Sequence, residues 1–137
     1  MDSLLGAKLQ EIRTQKALDD ICRSMKAIQL VVLASVDGFN LAASGKMIDE
    51  DPELSEKFAA MSSSMAALGN AVGAELKSSE PFSVVIADYK ELQVVLRTVN
   101  VRSGSFVLAA AASKSVVLGN LLLEIRDCTQ KIRDVLR

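Results

Sequence analysis

The sequence predicts a three-layer α/β (α+β) domain, with helices on both faces of one five-stranded, mostly antiparallel sheet. Three observations lead there. Apolar residues change period along the chain, giving the order helix, two strands, helix, three strands, helix. Two of the strand-like runs, 28–36 and 106–112, are apolar on both faces, so both faces of the sheet's centre need cover. The links between the runs 82–88, 91–99 and 105–112 are short, as an antiparallel meander requires.

Each element has its own signal. Residues 4–26 read as a helix, because Leu5, Leu9, Ile12, Ile21, Cys22 and Met25 recur at helical spacing with Lys and Arg between them. The run 28–36 is β-branched and nearly continuous. Asp37-Gly38 then predicts a hairpin with a type I′ turn, and residues 39–43 return as the second strand. Asp51-Pro52 opens the middle helix: Asp suits an N-cap, and Pro suits the first helical position, where its missing N–H costs nothing. Glu53 and Glu56 fall in the first turns, where the helix dipole favours acids. This helix runs to about Lys77, and residues 78–81 end it. After the meander, a last helix begins near Ser115 with the stripe Leu118, Leu121, Leu122, Ile125, Cys128, Ile132 and Val135.

Composition narrows the function. The chain has 137 residues, 50% of them hydrophobic, only 4% aromatic and none of them Trp, so the core must be aliphatic. A formal net charge of −1 removes the basic surface on which nucleic-acid binding rests. With no histidine, the commonest general base and nitrogen metal ligand are missing. Cys22 and Cys128 are far apart and make no CxxC pair; two buried reduced thiols are expected. The Gly-Lys pair in 44–49 lacks the earlier Gly and the following Ser/Thr of a phosphate loop, since Asn40 and Met47 stand there. The acidic stretch 49–53 lacks calcium-loop spacing and reads as a solvated helix start. Asp88, Glu91, Arg97 and Arg102 read first as surface charge near turns. No catalytic constellation, metal site or cofactor site is expected. The N-terminus, with Asp2 and Glu11, shows no signal peptide, and the uncharged stretch 58–74 carries too many Ser and Asn to span a membrane, so a cytoplasmic location is the default expectation.

The middle helix is unusual. Its larger residues, Leu54, Phe58, Met61, Met65, Leu68, Val72 and Leu76, make one stripe, expected to lie on the sheet. On one side of it run Ser62, Ala66, Gly69 and Gly73; on the other run Ala60, Ser64, Ala67, Ala71 and Ala74. A surface helix would carry Lys and Glu there. Smooth flanks let another helix approach closely, and glycines at 69 and 73 cost up to ~1 kcal/mol each relative to Ala unless packing offsets it. Two readings stand: a flank packs on a loop of the same chain, or two copies pair side by side through these helices, with an edge strand pairing as well.

At this point the chain resembles the Roadblock / dynein light-chain family, in its prokaryotic form. The resemblance covers about residues 8–136. It rests on the element order and on three stretches: VVLASVDGFNLAASG, FAAMSSSMAALGNAVGAEL and SFVLAAAASKSVVLGNLLLEI. It implies a single Roadblock-like domain over 1–137, with the middle helix on one face of the sheet and the terminal helices on the other. It implies a homodimer whose middle helices lie antiparallel and whose third strands pair, here 58–76 and 82–88. Carried over, the dimer contact is expected at Ala60, Ser62, Ala66, Ala67, Gly69, Gly73, Phe82, Val84 and Ile86, with Ser63 and Asn70 as candidate contacts to another partner. Members commonly bind Ras-like small GTPases, and some bacterial ones stimulate GTP hydrolysis. The expectation is a non-catalytic homodimeric regulator or scaffold for such a GTPase. The alternative is a small-ligand sensor of profilin-like or longin-like layering, which needs a cavity lined by Met61, Met65 and the sheet.

Overall fold

A computed structural model describes residues 2–137, with side-chain surroundings from Leu4 onward. The elements are α1 (Asp2–Ser24), β1 (Ile28–Ser35), β2 (Asn40–Ser44), α2 (Met47–Glu50), α3 (Leu54–Glu75), β3 (Val85–Asp88), β4 (Leu92–Val101), β5 (Gly104–Ser113) and α4 (Leu118–Leu136). The strands form one antiparallel sheet in the order β2-β1-β5-β4-β3. The apolar runs 28–36 and 106–112 therefore become the inner strands β1 and β5, and both are buried on both faces.

The alternation of β1 and β5 builds two cores. On one face Val31, Leu33, Leu108 and Ala110 meet Leu18 and Ile21 of α1 and Leu121, Ile125 and Ile132 of α4. On the other face Leu30, Val32, Val107 and Ala109 meet Ala59 and Ala66 of α3. The terminal helices bring fully buried large side chains to their core; α3 brings buried Ala59 and Ala66, with Leu54, Phe58 and Met65 half-buried beside them.

Several details depart from the sequence reading. The four-residue α2 lies between β2 and α3, where no element was expected. The β1–β2 hairpin is not type I′. Gly38 N–H donates to Ser35 O (3.0 Å) and Ser35 N–H to Phe39 O (2.9 Å). Gly38 has φ +94° while Asp37 does not have positive φ. This is a longer loop in which one left-handed residue suffices, and the register slips between Leu33 and Ala34. The β4–β5 turn is tighter than expected, because Val101 pairs with Gly104 across Arg102 and Ser103 alone. In α1 the expected stripe breaks in two. Ile21 is buried, but Leu5, Leu9 and Ile12 are exposed. Ile12 and Ile21 are nine positions apart in the sequence, and at 3.6 residues per turn that spacing sets them half a turn out of phase. Only the half of α1 that carries Thr14, Ala17, Leu18 and Ile21 packs on the domain.

α3 starts at Leu54, later than the Asp51-Pro52 opening predicts, and its N-cap Glu53 makes no side-chain cap bond; Pro52 and Glu53 form a turn instead. Asp51 Oδ1 accepts the Glu53 N–H (3.2 Å) ahead of the first turn. At the other end Ser78 N–H donates to Gly73 O (2.8 Å) and Lys77 N–H to Ala74 O (3.1 Å). This is the Schellman pattern, with Lys77 in the left-handed region at φ 68°.

Candidate functional site on the flanks of the middle helix

The stripe of large residues on α3 lies on the sheet only in part: Leu54, Phe58 and Met65 are half-buried against the sheet core. Ser55, Ala59, Ser62, Ser63 and Ala66 are the buried positions of this helix. Met61, Leu68, Val72 and Leu76 are exposed at 55, 67, 54 and 76%. Relative to the expectation, α3 is rotated by roughly a quarter turn about its axis, at 100° per residue. The cause is volume. The sheet surface beneath α3 already carries Leu30, Val32, Val94, Leu96 and Val107. A helix face of Ala and Ser settles closely onto that filled surface, whereas a face of Met and Leu would overpack it. Ser62 and Ala66 thus face the chain's own sheet, which neither reading named, whereas Gly69 and Gly73 meet segments of the same chain after α3.

Each expected site residue now has a place. Ser62 and Ala66 are buried against the sheet and offer no surface to a second subunit. Gly69 packs on β3 and the segment before it: a Cβ there would stand 3.1 Å from Phe82 Cδ1 and 3.1 Å from Val85 Cγ2. Gly73 lies over the Schellman turn, 3.6 Å from Ser78 Cβ at the same construction. Phe82 and Val84 are half-buried and precede β3, which starts at Val85 rather than residue 82. Phe82 belongs with the α3-side core, and Val84 with the terminal-helix side. Ile86 and the small residues Ala60 and Ala67 are exposed. The candidate contacts Ser63 and Asn70 are internal fasteners. Ser63 Oγ donates to Ser35 O (2.8 Å), and Asn70 Oδ1 accepts the Phe82 N–H (3.1 Å). They tie α3 to the β1–β2 loop and to the entry of β3; Ser63 is buried, Asn70 is half-buried, and both line an opening of about 380 Å3 beside Val36 and Phe106.

Two further open features lie beside α3. One is the outer edge of β3, which pairs only with β4. The other is a cavity of about 500 Å3 on the flank that carries the large stripe. Leu30, Val94 and Ala111 of the sheet and Phe58, Met61 and Met65 of α3 line it. The β3–β4 turn, with Tyr89, Lys90 and Glu91, stands at its rim. The cavity required by the sensor reading is therefore present, lined by the two methionines named for it.

Ionisable groups give no sign of chemistry here. Burial pushes the Cys128 thiol up to about 12, and its Sγ lies 3.8 Å from Ala17 O. Burial also raises Cys22. Hydrogen bonds from Lys16 and Arg23 hold the Asp20 carboxyl below the usual range. Arg102 stands exposed in the β4–β5 turn, whereas Arg97 is half-buried in β4 with its Nε enclosed and without a partner among the described residues. Among the described residues no cluster of three or more His, Cys, Asp or Glu is placed to hold a metal ion, and no helix is long and apolar enough to cross a membrane.

Solved structures share this layering. The Roadblock/LC7 domain from Streptomyces avermitilis superposes with a TM-score of 0.78 at 20% identity, covering 89% of this chain and 96% of that one. The fold is that of the Roadblock/LC7 domain. MglB of Myxococcus xanthus matches this Roadblock fold with a TM-score of 0.78 at 15% identity, over 92% of this chain and 89% of that one. The gliding protein MglB from Thermus thermophilus does so with a TM-score of 0.78 at 16% identity, over 92% and 90%. No protein-family model matches the sequence. None of the curated proteins matches it either. The expected helix-strand-strand-helix-strand-strand-strand-helix order, the five-stranded antiparallel sheet and its three layers are those of the Roadblock fold.

The sequence missed the burial of the small-residue stripe. A signal was present: Ser55, Ala59, Ser62 and Ala66 recur at spacings of four and three, as regularly as the large residues do. Periodicity alone ranks the larger stripe first, and only the volume of the facing sheet reverses that order.

Proposed function

We propose that the chain is a non-catalytic homodimeric regulator or scaffold that binds a Ras-like small GTPase. The observation that carries the reading is the unpartnered apolar strip Met61-Leu68-Val72-Leu76 on α3, together with the free edge of β3. Large apolar side chains in such a row are costly to leave in water, and an open strand edge invites pairing. In this reading two copies place their α3 strips side by side in antiparallel fashion and pair their β3 edges. The contact is made by the large residues rather than by Ser62, Ala66 and Gly69, and the domain as a whole is one Roadblock-like unit.

The GTPase then meets the outward face of the paired helices. Ala60, Ser64, Ala67 and Ala71 are exposed there, short enough for close backbone approach. We place any stimulation of hydrolysis in the ordering of the GTPase's own switch segments. The enclosure of the Arg97 Nε argues against an arginine finger from that position.

The test is a pull-down from source lysate run with a GTP analogue and with GDP, read by mass spectrometry, on wild type and on Ser64→Arg/Ala71→Arg. A Ras-like GTPase captured only with the analogue, and lost in the double variant, identifies an effector or activating regulator. Capture with both nucleotides identifies a scaffold. No GTPase in either lane removes the functional reading.

A further inference from the structure

Beside α3 lies a groove of about 500 Å3 that opens to solvent at Met61, Tyr89, Lys90 and Glu91 and is otherwise lined by apolar side chains. Its size falls in the roughly 300–1,000 Å3 range of ligand pockets. The floor and walls are Leu, Val, Ala, Phe and Met, so nothing inside can hydrogen-bond a nucleotide, sugar or amino acid. The two methionines, Met61 and Met65, are the adaptable side chains that accommodate chains of varied shape.

The polar groups sit only at the rim, on the β3–β4 turn. Lys90 is the cation there, and it makes no ion pair among the described residues. The nearby acid Asp88 is already bonded to Lys114. Glu91 shares the turn and lies exposed. An apolar depth whose charged groups, Lys90 and Glu91, stand only at the mouth fits an amphiphile whose headgroup reaches Lys90.

We infer that this cavity binds a single aliphatic chain bearing a carboxylate, with the tail between α3 and the sheet and the headgroup at Lys90. The site is separate from the proposed GTPase-binding face. Met61 belongs both to this lining and to the strip assigned to the second subunit, so dimerisation places a roof over the cavity mouth without supplying the tail pocket.

The experiment is titration of the full chain with dodecanoate, decanoate and dodecanoate methyl ester, read by calorimetry and native mass spectrometry. One ligand per chain is expected, with affinity falling about fourfold per methylene removed. Lys90→Ala should weaken the carboxylate about twofold to fivefold, the range of a rim ion pair, and leave the ester unchanged. Ala111→Leu, which fills the floor, and Leu92→Trp, which blocks the mouth, should each abolish binding. Each should keep the wild-type circular dichroism spectrum. Leu68→Glu, outside the cavity lining, should retain binding whether or not the dimer forms, which separates this result from that of the proposed function. Binding that survives both filling variants, or that is seen only once the dimer is broken because the second subunit occupies the cavity, overturns the inference. So does the absence of binding to every form.

Discussion

Gly69 of α3 and Val85 of β3 lie so close that a Cβ on Gly69 would stand 3.1 Å from Val85 Cγ2, and equally near the Phe82 ring. The glycine therefore serves the contact between α3 and the start of β3 within one chain. Gly69→Leu should destabilise the fold by about 1–3 kcal/mol through overpacking. Gly69→Ala should be nearly neutral, because about 1 kcal/mol of helix propensity offsets the crowding. Urea unfolding with unchanged m-values checks both; a Leu variant as stable as wild type would show that β3 is not held against α3.

Removing the apolar strip should change assembly and not folding. Leu68→Glu and Val72→Glu place charge on exposed positions, so the monomer keeps its melting behaviour while the proposed dimer dissociates. Light scattering coupled to size exclusion reads the mass. Ala67→Leu, on the outward face, should remain dimeric. A monomeric wild type at micromolar concentration would defeat the assembly reading outright.

Ser63 should behave as a fastener. Ser63→Ala removes the hydroxyl that donates to Ser35 O at 2.8 Å, while the Gly38 N–H still donates to that carbonyl, so the cost is that of one hydrogen bond, about 0.5–1.5 kcal/mol. Hydrogen exchange should quicken in the β1–β2 loop. Asn70→Ala should do the same at Phe82, whose N–H loses its acceptor.

Lys77 holds the left-handed position that closes α3. Lys77→Gly should stabilise the protein by about 0.5–1 kcal/mol, since glycine adopts that conformation without steric cost. Thermal melts of the two proteins settle it, and a lower midpoint for the glycine variant would show that the Lys77 side chain contributes packing.

The thiols give a pH prediction. The Cys128 pKa is raised from 9.0 to about 12 by burial. The folded state therefore keeps a proton that the unfolded state releases. This stabilisation is intact below pH 9 and is lost as pH rises from 9 toward 12. Cys128→Ala should flatten that decline. At pH 8 a thiol reagent should label the half-buried Cys22 before Cys128, which is buried in the α1–α4 core.

Much of this fold was legible in the chain. The double-sided apolar runs marked β1 and β5 as inner strands, and they are. Short links marked the meander. Boundaries failed where a local interaction competed with strand propensity: Phe82 is drawn to Asn70 and Gly69, so β3 shortens to four residues. The site was less legible. Ser63 and Asn70 looked like surface because small polar residues usually are, yet each meets a backbone group brought near by distant sequence. The cavity gave no local signal, because its floor and walls come from β1, β4, β5 and α3 together.

By itself the sequence determined the order of elements, the inner strands, and a middle helix with three distinct stripes. Periodicity and turn chemistry are local properties, so one chain suffices to write them. Which stripe of α3 meets the sheet was decided by the tertiary structure alone. Ala59 and Ala66 pack closely in the core with Val32, Leu96 and Val107, while over Leu30 and Val94 an opening remains, bordered by Phe58 and Met65. Met61, Leu68, Val72 and Leu76 turn outward, and with them the surfaces on which function is proposed.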